Sequence, residues 1–126
     1  MAQAQHREEP DRQAVAAKAM LRAAQLLGLT AKDLSQVVGA SEATLSRLKQ
    51  QGGAQARLSG KSYELALLFI RLYRSLDAIM GVDDAAARAW MRASNSALGG
   101  APLERIGTVE GLAHVLAYLD ARRAPV

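Results

Sequence analysis

The stretch from Ser62 to Met80, SYELALLFIRLYRSLDAIM, constrains what this chain can fold into more than any other. At helical pitch Leu65, Leu68, Phe69, Leu72, Tyr73, Leu76, Ile79 and Met80 crowd one side, and Ala66 and Ile70 widen it. A surface helix usually buries an apolar arc a little over ~100° wide. Stepping each residue by ~100° gives an arc of about 180–200° here. The polar remainder is a narrow strip of Glu64, Arg71, Arg74 and Ser75, with Asp77 near its edge, and Leu67 interrupts even that strip. Such a helix has to be covered on more than one side. It is therefore expected at the centre, packed between the N-terminal and C-terminal parts of the chain, or against a second copy. Its four charges in a segment of barely spanning length argue against a membrane helix.

The rest of the core has to be built mainly from Leu, Ala and Val. Half of the 126 residues are hydrophobic, but only five are aromatic. That length is enough for one compact domain or two very small ones. Alanine- and leucine-rich composition favours helix, and no alternating run long enough for a strand is present. The predicted fold class is all-α. There are no cysteines, which excludes disulfides, thiol catalysis and thiolate metal sites. Residues 1–12 are polar and charged, unlike a signal peptide, so a soluble cytoplasmic protein is the default expectation. The net charge is +4. Residues 1–60 carry eight basic and five acidic groups, and residues 61–126 eight and seven. The excess thus sits in the first half, where it fits a nucleic-acid partner.

Residues 1–10 have no apolar periodicity and are expected to be disordered or frayed. Asp11 to Leu29 reads as a helix, with Val15, Ala19, Ala23, Leu26, Leu27 and Met20 as its apolar side and Gly28 as its break. Thr30 with Asp33 makes a capping box for a short helix to about Val38, with Leu34, Val37 and Val38 inward. Gly39 supplies a tight turn. Ser41 is an N-cap for a second helix to about Gln50, with Leu45 and Leu48 inward. Gln51 to Gly60 is linker-like. After the central helix and Gly81, Asp83 or Asp84 caps a helix predicted to reach about Ala97, carrying Trp90 and Met91. Gly99, Gly100 and Pro102 make a turn, and Leu103, Ile106 and Gly107 a short helical turn. Thr108 caps a last helix from Val109 to about Arg122, with Leu112, Val115, Leu116 and Leu119 apolar.

Two short helices joined by a glycine turn and preceded by a supporting helix are the layout of a helix-turn-helix. A recognition helix enters the major groove if its own core holds one side and the other shows small or polar groups. Stepping around from Leu45 turns Ala43, Ser46, Arg47 and Gln50 outward, with Glu42 and Thr44 near the exposed N-terminal end. Arg47 can donate two hydrogen bonds to a guanine edge, Glu42 can accept from a cytosine amino group, and Ala43 can touch a thymine methyl. Ser41, Thr44 and Lys49 suit phosphates, as does the helix N-terminus. The plainer alternative is a helical hairpin that serves only packing.

LGLTAKDLSQVVGASEATLSRL resembles the helix-turn-helix of Xre/Cro-type regulators. The second half is similar to the toxin-binding domain of the MbcA/ParS/Xre antitoxins. The matching elements are the RLYRSL helix, the Ala-Trp-Met segment, Asn95 with Leu98-Gly99-Gly100 and Pro102, Thr108-Val-Glu-Gly111, and the closing Tyr118-Leu-Asp120. Met91 stands where the family commonly has Leu, and the linker is short and glycine-rich. With residues 1–10 expected as a disordered N-terminus, the resemblance implies 11–60 as the helix-turn-helix region and 61–126 as the toxin-binding domain, joined through the long central helix. It implies an antitoxin whose partner is a RES-domain or ParT/MbcT-like toxin, an enzyme acting on NAD. Such antitoxins are typically dimeric, cover the toxin's active-site entrance with their C-terminal region, and repress their own promoter.

The residues of the tail are compatible with that role. Tyr118, Asp120, Arg122 and Arg123 close the last helix, and Ala124, Pro125 and Val126 come after it, too short to fold alone. A basic end can enter a pocket built for an anionic dinucleotide, its guanidinium groups meeting acidic or polar pocket residues. Alternatively, Arg122 and Arg123 complement the helix C-terminal dipole. Trp90 is expected in the core and Tyr118 at an interface edge. Tyr118, Asp120, Arg122, Arg123 and Val126 are the candidate toxin-binding residues, and Ser41, Glu42, Ala43, Thr44, Ser46, Arg47 and Lys49 the candidate DNA-binding ones.

No catalytic set is expected, and no cofactor or metal. His6 and His114 are far apart in the chain, and Asp83 and Asp84 read as helix-start residues. Gly99-Gly100 does not follow a strand as a phosphate loop would. The competing functional reading is a dimeric transcriptional repressor whose C-terminal half serves dimerisation or ligand sensing.

Overall fold

The computed structural model describes residues 11–51 and 57–123. The expectations for residues 1–10, for residues 52–56 of the linker, and for Ala124 to Val126 therefore lie outside the described residues. Within them the fold is all-α, with seven helices and no strand. These are α1 (Arg12–Leu27), α2 (Ala31–Val38), α3 (Glu42–Gln50), α4 (Gly60–Met80), α5 (Asp84–Arg92), α6 (Pro102–Arg105) and α7 (Val109–Arg123). The helix starts obey local side-chain chemistry. Asp11, Thr30, Ser41, Ser59 and Asp83 each accept a hydrogen bond from a backbone N–H of the first turn they cap. Thr30 and Asp33 form the full reciprocal capping box. Each such cap stabilises its helix by about 1 kcal/mol.

The oily central segment is α4, and it packs against α1, α2, α5 and α7. One continuous apolar cluster runs from Ala16 on α1 to Leu119 on α7, with Phe69, Leu72 and Leu76 of α4 fully buried within it. The expectation of a central helix covered on several sides is met, with particular exceptions. Leu67 and Ile79 are exposed, so the covered arc is narrower than the apolar one. Ser75, assigned to the polar strip, is instead fully buried. Its hydroxyl donates to Asp120 Oδ1 at 3.0 Å and accepts from Arg123 Nη1 at 3.2 Å, so its burial leaves no hydrogen bond unmade.

Other expectations need correction. Val15 is 57% exposed and Ala19 and Leu26 are half-buried, whereas α1 buries Ala16, Ala17 and Ala24 beside the expected Met20, Ala23 and Leu27. The packed side of α1 is thus mostly alanine, with Met20 and Leu27 as its large side chains. Gly60 belongs to α4 rather than to the linker, because Ser59 caps the helix there. The chain leading into α4 is tied back to α1. Leu58 N–H donates to Gln13 Oε1 at 2.9 Å, Gln13 Nε2 donates to the Leu58 carbonyl at 3.2 Å, and Arg57 pairs with Asp11 at 2.9 Å. The Arg57 guanidinium, helped by the Ala14 and Gln13 amides, holds the Asp11 carboxyl below its ordinary range.

The helix expected to reach Ala97 stops at Arg92. Asn95 competes for the backbone with its own side chain. Asn95 Oδ1 accepts from Ala97 N–H at 3.0 Å, and Asn95 and Gly100 exchange two backbone hydrogen bonds of 3.2 Å. Leu98 is buried beneath this loop.

The turn between α4 and α5 holds the one positive-φ non-glycine among the described residues, Val82 at φ 64°, and its side chain is 76% exposed. A β-branched residue in this region stores strain of roughly 1–3 kcal/mol. Val82→Gly is therefore expected to stabilise the fold by about 1 kcal/mol, after discounting the extra freedom glycine gives the unfolded chain. A lowered urea midpoint would contradict this.

Candidate functional site

Gly39 makes the turn between α2 and α3 possible. It sits at φ 69°, a left-handed conformation that costs glycine little and other residues more. Ser35 Oγ then donates to the Ala40 carbonyl at 2.6 Å and ties the turn to α2. Leu34, Val37 and Val38 on one helix and Leu45 and Leu48 on the next are buried. The opposite face of α3 is left open. Ser41, Glu42, Ala43, Ser46, Arg47 and Lys49 are exposed, and Thr44 is half-buried. All seven candidate DNA-contacting residues thus lie on one accessible surface.

Hydrogen bonds pre-shape part of that surface. Ser41 Oγ accepts from Thr44 N–H at 3.1 Å and donates to Thr44 Oγ1 at 2.9 Å. Arg47 Nη2 donates to Thr44 Oγ1 at 3.3 Å. The guanidinium is thereby drawn toward the N-terminal end of α3, the end that meets base edges when such a helix docks in a major groove. Ser41 has thus given its one hydroxyl proton to Thr44, while the Thr44 hydroxyl, which accepts from Ser41 and Arg47, keeps its own proton to donate to a phosphate oxygen.

The second candidate surface is the C-terminal end of α7. Four of its five predicted residues come together here, while Val126 lies outside the described residues. Each of the four has an internal partner. Trp90 and Tyr118 stack with ring centroids 6.4 Å apart, and Arg122 lies over the Tyr118 ring at 4.5 Å. Asp120 accepts from Arg71 and from Ser75, and Arg123 donates to Ser75. Trp90 and Tyr118 are both half-buried, so the expected division into a core ring and an edge ring becomes one shared stack. Arg122 is held by a cation–π contact, worth roughly 0.5–1 kcal/mol at an exposed site. The end of α7 is thus pinned to α4 on one side and to α5 on the other.

Sequence reasoning missed a polar contact between the two halves. Arg88 and Arg92, one turn apart on α5, reach the C-terminus of α1. Arg88 Nη1 donates to the Leu26 carbonyl at 3.1 Å, and Arg92 donates to the Leu27 and Gly28 carbonyls at 3.3 and 2.7 Å. These carbonyls have no partner within α1, and a cation at a helix C-terminus meets the negative end of its dipole. The i, i+4 spacing was visible in the sequence, but nothing there says which helix end it faces.

Among the described residues no helix is long and apolar enough to cross a membrane, and no group of His, Cys, Asp and Glu side chains gathers as metal ligands would.

Both surfaces fall within matches to known families. Residues 6–71, more than half of the chain, match the antitoxin Xre-like helix-turn-helix domain. Residues 75–124 match the antitoxin Xre/MbcA/ParS C-terminal toxin-binding domain. No curated protein matches the sequence. The first match contains α1 to α3 with the turn at Gly39, and the second contains the stacked and hydrogen-bonded end of α7. On these grounds the chain belongs to the Xre-type antitoxins, in which a helix-turn-helix for DNA is joined to a domain that binds a toxin.

Proposed function

We propose that this antitoxin neutralises an NAD-consuming toxin of the RES or ParT/MbcT-like kind by covering the entrance to its active site, and that it represses its own operon as a homodimer. The carrying observation is the end of α7. Tyr118, Asp120, Arg122 and Arg123 are gathered there within the family's toxin-binding domain, immediately before the last three residues of the sequence. A cationic end held in a fixed direction loses little side-chain entropy on docking, which favours affinity. In this reading residues 11–60 read DNA, residues 61–126 hold the toxin, residues 1–10 lead in, and α4 serves both parts.

Deleting Arg122 to Val126 tests the toxin-facing half. Neutralisation of the toxin encoded beside this gene is expected to fail in a growth-rescue assay, with operator affinity and oligomeric state unchanged. Unaltered rescue would remove the tail from the mechanism. Arg47→Ala tests the other half. Operator binding is expected to weaken by roughly 1–3 kcal/mol, with neutralisation intact. Equal affinity in a mobility-shift titration would show that another element reads the bases. Rescue of growth by variants that cannot bind the operator separates this proposal from a repressor whose C-terminal half only dimerises or senses a ligand.

A further inference from the structure

A groove of about 560 Å³ runs between α1 and α4. Val15, Ala19, Leu67 and Ile70 give it an apolar lining, and Arg12, Arg71, Arg74 and Arg123 stand around it. Val15 and Leu67 are the largest exposed apolar groups there, at 57% and 44%. Arg71 is matched by Asp120, and Arg123 donates to Ser75. Arg12 and Arg74 have no carboxylate partner among the described residues. Exposed cations without a carboxylate partner, flanking exposed aliphatic groups, suit a ligand that is apolar along one line and acidic beside it.

We infer that this groove takes an acidic, apolar-faced segment of the partner toxin, so that the antitoxin holds its toxin with the α1–α4 face as well as with the end of α7. The inference rests on the proposed function above and extends it to residues of the helix-turn-helix half. Two observations choose this occupant. Arg123 belongs to both the groove and the end of α7, so a toxin seated on that end lies next to the groove. The charge is also one-sided. A second copy packed by a two-fold axis would place this same patch against itself, setting Arg12, Arg74 and Arg123, none of them paired with a carboxylate among the described residues, against the same three. Duplex DNA would satisfy the arginines but offers no apolar surface to cover Val15 and Leu67, and no residue of α3 lines the groove. An amphipathic acidic segment satisfies both parts at once.

Arg12→Glu/Arg74→Glu in the full chain tests this, because both side chains are exposed and neither takes part in a salt bridge among the described residues. The readouts are calorimetric affinity for the toxin encoded beside this gene, operator affinity, and sedimentation. Leu67→Ser serves as a second variant that leaves the charge alone. Toxin binding is expected to weaken at least tenfold for the double variant and measurably for Leu67→Ser, with sedimentation and operator binding as in the wild type. Unchanged toxin affinity beside a binding wild type overturns the inference and leaves the α7 proposal standing. A changed oligomeric state identifies the groove as a contact between copies, and a lost operator affinity identifies it as a nucleic-acid surface; either overturns it. A wild type that binds no such protein ends both this inference and the reading beneath it.

Discussion

Gly111→Ala is expected to destabilise the protein by roughly 2–4 kcal/mol, at or beyond the upper range for overpacking. Intrinsic propensity argues the other way. Gly111 lies in the first turn of α7, where alanine is normally better than glycine by up to about 1 kcal/mol. Tertiary geometry decides the sign. A Cβ built on Gly111 would meet the Arg105 carbonyl oxygen at 1.7 Å and its carbon at 2.7 Å. Those atoms are backbone at the end of α6 and cannot swing aside. They are anchored by Ile106, fully buried, and by the Ile106 N–H donating to the Pro102 carbonyl at 3.1 Å. To admit one methyl group, α6 and α7 have to part, and the cap that Thr108 Oγ1 makes with Gly111 N–H has to distort. Urea unfolding measures the loss. A midpoint equal to or above the wild type would show that the α6–α7 turn is soft. The expected functional trace is impaired toxin binding ahead of DNA binding, because the displaced helix carries Tyr118, Asp120, Arg122 and Arg123.

Phe69→Ala is expected to cost about 3–5 kcal/mol, the range for emptying a fully buried aromatic site. Phe69 is the bulkiest of the side chains fully removed from solvent. It sits mid-way along α4, inside the cluster shared by residues from both family domains. Set against a typical stability of about 5–15 kcal/mol, the loss should appear in operator binding and toxin binding together. A single, left-shifted unfolding transition is the expected result. Two separate transitions, with the helix-turn-helix half melting at its wild-type midpoint, would show that α4 does not couple the parts.

The two substitutions differ in what the sequence says about them. Phe69 is legible in advance, since it lies at the centre of the widest apolar arc in the chain, and burial of such an arc is forced by the cost of leaving it in water. The helix starts are legible for a similar reason. A cap is a contract between residues two or three apart, so Thr30 with Asp33, and Ser41 with Thr44, declare themselves locally. The turn at Gly39 and the outward face of α3 belong to the same class. Where the reading failed, local and non-local chemistry disagreed. Val15 fits the helical period but faces the groove, because Ala16, Ala17 and Ala24 occupy the buried side with Met20, Ala23 and Leu27. Ser75 looks like surface, yet Asp120 and Arg123 arrive from a helix 45 or more positions away and satisfy its hydroxyl.

By itself, then, the sequence determined an all-helical chain with an oily middle helix, a glycine-turned pair of helices carrying an open polar face, and a basic end, since each comes from periodicity, capping and turn chemistry within a few residues. Only the tertiary structure decided that Arg88 and Arg92 close the end of α1, that Tyr118 and Asp120 are clasped by residues of α4, α5 and α7, that Gly111 cannot carry a methyl group, and that four arginines from three helices surround one apolar groove. Those facts depend on distances between segments far apart along the chain, and such distances are set by how whole helices pack.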